Sequence, residues 1–451
     1  MRSLALIATL SLALSVQAAG KLVENVVTAA DREQTYTLFL PGSYDVAKKY
    51  PVLLILDPRG RGTAAAEIFA GGAEEYGWIL VSSNNTRSDE SNDPNERALR
   101  ALFPELGRYA VDPRRVYAAG FSGTAMVAWA LAINNGRLAG VISAGGRLVD
   151  EVPPRRFSFA SYGFAGESDF NNRDMRAIDA LLAREGKTHR FRQFEGGHRW
   201  MPPELAAEAM GWMELIAMKE QRRPRDEALI ARLYERELAA AKSLRQFRAV
   251  LETFDGLRDV TEVRATVARL ERDPAVLREL KDEERWDAFE AQTMKETLDR
   301  TPAILGALRQ EAPLNLVGRL MREFRVADLR RRAAREGYEG SAARRLLEAV
   351  HAQMSFYLMR QFFERREYRL AAAVLTVATE IHPDRDTTWY NLAAAHARAG
   401  ARRPALEALA KAIELGYRDA EHLVRDEDFA SLREDARFRE LVKTCSVHRV
   451  P

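Results

Sequence analysis

Two hydrophobic patterns divide this chain. Up to about residue 220, short and nearly continuous apolar runs alternate with stretches whose apolar residues recur at helical spacing. The runs 35–40 (TYTLFL), 52–56 (VLLIL), 78–82 (WILVS), 116–119 (VYAA), 140–144 (GVISA), 157–164 (FSFASYGF) and 189–194 (HRFRQF) predict strands. Between them the spacing predicts helices near 63–75, 93–109, 122–135 and 173–185. A closing amphipathic helix starts at Pro203, with Leu205, Ala209, Trp212 and Ile216 on one face. Strands that are apolar on both sides need cover on both faces, and strands joined by helices pair in parallel. The expected fold is therefore α/β, a mostly parallel sheet with helices on both faces.

Around 219–228 (KEQRRPRDEA) the pattern changes: strand-like runs disappear and the sequence is charged and helical to about residue 350. The regular polar faces of these helices read as solvated surface. Near the C-terminus Ala371, Leu375 and Ala378 recur 34 residues later as Ala405, Leu409 and Ala412, with Pro383 closing the first unit and Gly416 near the end of the second. That period, with 388–400 (TWYNLAAAHARAG) as the first helix of the later unit, resembles a tetratricopeptide repeat. Two such units cannot bury a core alone, so the flanking helices, 426–442 included, are expected to complete it. The resulting division is 1–18, 19–220, a helical linker domain over 221–345, and all-α repeats over 346–445.

Residues 1–18 have the form of an export signal: Arg2, the apolar run 4–16 (LALIATLSLALSV), then Val16-Gln17-Ala18 as a small-residue cleavage site. The run is too short for a helix to span roughly 30 Å of hydrocarbon. A removed signal peptide and a periplasmic or secreted protein, with no membrane span after removal, are expected. A length of 451 residues, 47% hydrophobic and 29% charged, suits a multidomain globular chain. The net charge of +3 and the lack of nucleic-acid motifs give no reason to invoke nucleic acid. A single cysteine, Cys445, excludes an intrachain disulfide; it falls in what reads as a tail, without a reactive-thiol signature. No metal-ligand spacing occurs, and neither metal nor cofactor is expected.

In parallel sheets chemistry gathers beyond the carboxyl ends of the strands. After 52–56 comes the Gly-rich loop Asp57-Pro58-Arg59-Gly60-Arg61-Gly62. The stretch 116–125 (VYAAGFSGTA) reads as strand, sharp turn and helix with Ser122 at the bend, a G-x-S-x-G pattern in which Thr124 replaces the last glycine. GESDFNN (166–172) follows another strand and offers Glu167 and Asp169; EGGHRW (195–200) follows the last and offers His198. A serine nucleophile needs an imidazole to take its proton, and only His189 and His198 lie in the first 220 residues. His189 opens a strand at the wrong end, which leaves His198. Asp169 is preferred to Glu167 because its shorter side chain fixes a ring more tightly.

The segment from about 30 to 220 resembles α/β-hydrolases of the dienelactone hydrolase-like and polyhydroxybutyrate depolymerase-like esterase group, through 111–123 (VDPRRVYAAGFSG), GESDFNN and FEGGHRW. The resemblance implies a Ser122, Asp169, His198 triad acting through an acyl-enzyme, with N–H groups of Arg59 and Gly123 as the oxyanion hole. Thr124 departs from the family pattern, and with it the turn geometry. No cap domain fits between 144 and 157, so the site is either open, suiting a bulky or polymeric ester, or roofed by the C-terminal half. Arg59, Arg61 and Arg199 flank it as candidate attractors of an anionic group, or as solvated loop arginines. The repeats are candidates for contact with a protein or peptide partner. The competing reading is a catalytically silent hydrolase-fold scaffold serving the repeats; a peptidase would use the same triad.

Overall fold

The computed structural model describes residues 20–88, 94–148, 156–309 and 313–447. The expected signal peptide lies outside them. Eight strands follow in chain order: β1 (Leu22–Val27), β2 (Thr35–Phe39), β3 (Tyr50–Leu56), β4 (Ile79–Ser83), β5 (Val111–Phe121), β6 (Gly140–Ala144), β7 (Ala160–Gly166) and β8 (His189–Phe194). They form one sheet in the order β1-β2-β4-β3-β5-β6-β7-β8. Pairing of β1 with β2 and of β2 with β4 is antiparallel, and every other pairing is parallel. This is the topology of the α/β-hydrolase fold.

The apolar runs became central strands because both of their sides are covered. In β3, Val52, Leu54 and Leu56 enter the core on one face, while Leu53 and Ile55 enter the core on the other. Helices α2 (Pro94–Glu105), α3 (Gly123–Asn135) and α4 (Asn172–Arg184) contribute Leu102, Trp129 and Ile178 to the first core. Helices α1 (Gly62–Tyr76) and α5 (Pro203–Lys219) contribute Phe69, Ala73, Met210 and Trp212 to the second. Two stretches of strand lack a continuous apolar run. β1, with Glu24 and Asn25 exposed and a register shift between Val23 and Val26, is an antiparallel edge strand. The start of β5 carries Pro113, Arg114 and Arg115, and its register with β3 slips between Tyr50 and Val52.

The chain separates into two compact units, Met1–Lys281 and Asp282–Pro451. The boundary read near residue 220 thus falls inside the first unit. The physical reason is visible in α6 (Glu227–Ala240) and α7 (Leu244–Phe254), whose Ile230, Leu233, Val250 and Phe254 share a core with Leu215 and Met218 of α5. Asp226 caps α6 through the N–H of Leu229, and Ser243 and Gln246 form a capping box on α7. Arg190 of β8 is held between Glu237 of α6 (2.7 Å) and Glu208 of α5 (3.8 Å), a buried ion pair that fastens α6 to the sheet. Helix α8 (Thr261–Leu270) follows, and the boundary falls within α9 (Pro274–Leu308).

In the second unit α10 (Pro313–Glu323), α11 (Val326–Ala333) and α12 (Gly337–Ala352) precede a single π-turn segment, Gln353–Leu358, that runs into α13 (Met359–Glu364). Then come α14 (Tyr368–Ile381), α15 (Asp386–Arg398) and α16 (Arg402–Leu415). The repeated positions Ala371, Leu375, Ala378, Ala405, Leu409 and Ala412 are all buried, small residues letting helices approach closely. Short α17 (Ala420–Arg425) and the closing α18 (Ala436–Val447) follow. Cys445 lies in α18, not in a tail; it is fully buried with Phe429 and Phe438 because α18 presents an apolar stripe to that core. Burial raises its thiol pKa, which suits packing rather than reactivity. Among the described residues no helix is long and apolar enough to cross a membrane.

Candidate active site

The site begins with a strained turn. Between β5 and α3, Ser122 has φ 55° and ψ −128°, a left-sided conformation that costs a non-glycine residue about 1–3 kcal/mol. Its N–H donates to Ala144 O (2.9 Å), and its carbonyl accepts from Ala125 N (3.0 Å). Gly120 is required two residues earlier, since a Cβ there would lie 2.3 Å from Thr124 O. Thr124, the departure from the expected glycine, is fully buried, and its hydroxyl fits the bend. The oxygen lies 2.5 Å from Leu56 O and 2.8 Å from Phe121 O, and it accepts from Phe121 N at 3.3 Å. The elbow is thereby fastened to the end of β3.

The loops after β7 and β8 deliver the partners. His198 Nε2 lies 2.8 Å from Ser122 Oγ, and His198 Nδ1 lies 2.9 Å from Asp169 Oδ1. With Nδ1–H donating to the carboxylate, Nε2 is the acceptor that the serine hydroxyl needs. Asp169 is fully buried; Oδ1 also accepts from Asn171 N (2.8 Å), while Oδ2 has no hydrogen-bond partner among the described residues. Its hydrogen bonds among the described residues thus run through Oδ1, to the imidazole and to the Asn171 N–H. The His198 side chain is 20% exposed and Ser122 is half-buried, so an incoming molecule can reach both. In the first turn of α4, burial pushes the Asp174 carboxyl up against the pull of Arg173 and Arg147, and the Asp169 charge adds to the rise.

Ser122, His198 and Asp169 are thus brought together. Glu167 is exposed and takes no part. His189 sits apart, bonded to Asp179 (3.3 Å) and to Lys187 O (2.7 Å); burial opposes its charged form, but these partners outweigh burial and raise its pKa. Gly123, the first residue of α3, has an N–H with no intrahelical acceptor, next to the Ser122 hydroxyl. Arg59 stands after β3 as expected, but its N–H donates to Asp57 Oδ1 (2.8 Å). An aspartate directly after a strand captures N–H groups two and four residues on, which the family resemblance alone did not reveal. Of the flanking arginines, Arg61 reaches Asp57 at 3.4 Å and Arg199 lies over the Phe194 ring with a bond to Glu195 O. Arg59 has an exposed side chain.

Sequence reasoning missed four contributors. Phe121 and Phe170 flank the imidazole, with ring centroids 4.6 and 4.2 Å from that of His198. Asn171 Nδ2 donates to Gly145 O (2.7 Å), tying the acid loop to the end of β6. Gly145 has φ 53°, and a Cβ there would come within 2.7 Å of Asp169 Oδ2 and 3.1 Å of His198 Nδ1. The one advance signal was the Gly145-Gly146 pair directly after a predicted strand. Among the described residues no group of histidines, cysteines or carboxylates is placed to hold a metal ion.

No protein-family model and no curated protein matches this chain. Solved structures do. The S-formylglutathione hydrolase of Staphylococcus aureus is similar at 14% identity over 43% of this chain and 95% of its own, with a TM-score of 0.35. A ferulic acid esterase is similar at 18% identity over 43% and 96%, TM-score 0.35. The ferulic acid esterase of Anaeromyces mucronatus is similar at 15% identity over 43% and 89%, TM-score 0.34. At such identities and scores what this chain does has to be read from its own side chains.

Proposed function

We propose that the first unit is a serine hydrolase that cleaves a carboxylic ester through a covalent acyl-enzyme. The reading is carried by one observation, the continuous relay from Ser122 Oγ to His198 Nε2 (2.8 Å) and from His198 Nδ1 to Asp169 Oδ1 (2.9 Å). As Ser122 Oγ attacks the ester carbon, its proton passes to His198 Nε2, and Asp169 supports the imidazolium that forms. The oxyanion develops beside the Gly123 N–H. Collapse expels the alcohol, which takes the proton back from Nε2; water then repeats the sequence on the acyl-serine and releases the acid. In this reading the protein is exported, takes an open-site and bulky ester, and uses its helical second unit to contact a partner or the substrate.

The test is turnover of p-nitrophenyl esters of graded acyl length by the full chain and by Ser122→Ala. Loss of turnover in the variant supports the assignment. Undiminished turnover in Ser122→Ala, or none in the parent for any ester, refutes it.

A further inference from the structure

We propose that Asp57 is a positioning residue of this site: one carboxylate that shapes the loop after β3 and, through Trp200, sets where His198 stands. The proposal rests on the Ser122 reading above.

Asp57 is 1% exposed, yet among the described residues the charged side chain bonded to it is that of Arg61, itself 54% exposed. A carboxylate sunk in a core is costly unless its oxygens are bonded. Here both are. Oδ1 accepts from Arg59 N (2.8 Å) and Arg61 N (3.1 Å), which fixes the turn after β3. The turn is also held by Gly60 N and Thr86 Oγ1, both of which donate to Asp57 O. Oδ2 instead accepts from Trp200 Nε1 (3.0 Å), an indole two residues beyond His198 in a different loop.

Trp200 carries the constraint onward. Its ring packs edge-on against Phe69 (5.8 Å) and beside Phe121 (5.7 Å), and Phe121 both precedes Ser122 and touches the His198 ring at 4.6 Å. On the other side, the Thr124 hydroxyl joins the elbow to Leu56 O, the residue before Asp57. The loops bearing imidazole and hydroxyl are therefore tied to two consecutive residues at the end of β3, the first to the Asp57 carboxylate and the second to the Leu56 carbonyl. Catalysis by a base depends on that registration, because a displacement of about 1 Å can cost roughly 100-fold.

The experiment compares Asp57→Asn, Trp200→Phe and the double variant for p-nitrophenyl ester turnover, with thermal unfolding measured alongside. The asparagine keeps an acceptor for Arg59 and Arg61 but turns an N–H toward the indole N–H, donor against donor. The phenylalanine keeps the ring and deletes the donor. Asp57→Asn should lower kcat by about 10- to 100-fold with KM little changed. Trp200→Phe should lower kcat by roughly 3- to 10-fold, and the double variant should recover most of what Asp57→Asn loses. A purely structural role would not give that rescue. Wild-type kcat in Trp200→Phe, or losses that simply multiply in the double variant, overturns the proposal. If Asp57→Asn does not fold, Trp200→Phe alone decides, since its turn is intact. Parent turnover that survives in Ser122→Ala would sink the hydrolase reading instead, which separates the two failures.

Discussion

Thr124 offers the sharpest perturbation, because sequence pattern and structure assign it opposite meanings. By pattern it is a defect in the elbow; in the structure its hydroxyl bridges the elbow to Leu56 O and receives the Phe121 N–H. Replacing it with valine keeps the volume and removes both bonds. Each is worth about 1 kcal/mol net, and a buried group left unpaired costs roughly 1–3 kcal/mol, so the loss should total about 2–4 kcal/mol. For a unit of this size that lowers Tm by roughly 4–15 °C. Because the bonds join the turn bearing Ser122 to the end of β3, kcat should fall with stability. Thr124→Ser should restore most of both. Thr124→Gly, the residue the family pattern calls for, should be no faster than the parent and should lose about 1 kcal/mol more from glycine in a helix. The assays are thermal unfolding and p-nitrophenyl ester turnover on the same preparations. A Thr124→Val protein as stable and active as the parent, or a faster Thr124→Gly, would show that the hydroxyl holds nothing in place.

Asp169→Asn should lower kcat by roughly 10⁴-fold, since an amide can hold the imidazole in the wrong tautomer; steady-state kinetics across pH 6–9 checks it. Glu237→Ala should destabilise the first unit by about 3 kcal/mol, leaving the largely buried Arg190 with Glu208, 3.8 Å away, as its carboxylate partner among the described residues, and denaturant unfolding measures this. In the second unit burial, reinforced by the Arg385 and His382 charges, lowers the His351 pKa from 6.5 to about 3. The unfolded chain then binds the extra proton between those values, so stability of that unit should fall as pH drops below about 6.5, by up to about 1.4 kcal/mol per pH unit. His396, lowered by burial, acts in the same direction. Melting curves at pH 7 and pH 5 read the slope, and His351→Gln should flatten it.

Much of this was legible because chemistry at strand ends leaves a local mark. Ser122 stood in a strand-to-helix bend, and His198 was singled out by the scarcity of histidine in the first 220 residues. Strands buried on both faces announced themselves as apolar runs, whereas β1 and the front of β5 did not. Edge position and a slipped register relax the demand for apolar residues. The helices of 227–270 read as a separate region because their charged faces dominate the composition; their attachment depends on a handful of residues meeting Leu215 and Met218. Arg59 follows β3, as the strand pattern implied, but its N–H is committed to an Asp57 side chain whose other oxygen is bonded to Trp200, 143 residues away in sequence. Phe121 and Phe170 likewise meet the imidazole only across three loops, which no local pattern encodes.

The most direct measurement is covalent labelling of the intact protein with a fluorophosphonate, followed by peptide mapping. A hydroxyl made nucleophilic by the imidazole should carry the label at Ser122, with labelling abolished in Ser122→Ala and slowed by orders of magnitude in His198→Ala. Label that maps to another residue, or that is unchanged when the imidazole is removed, would contradict the account.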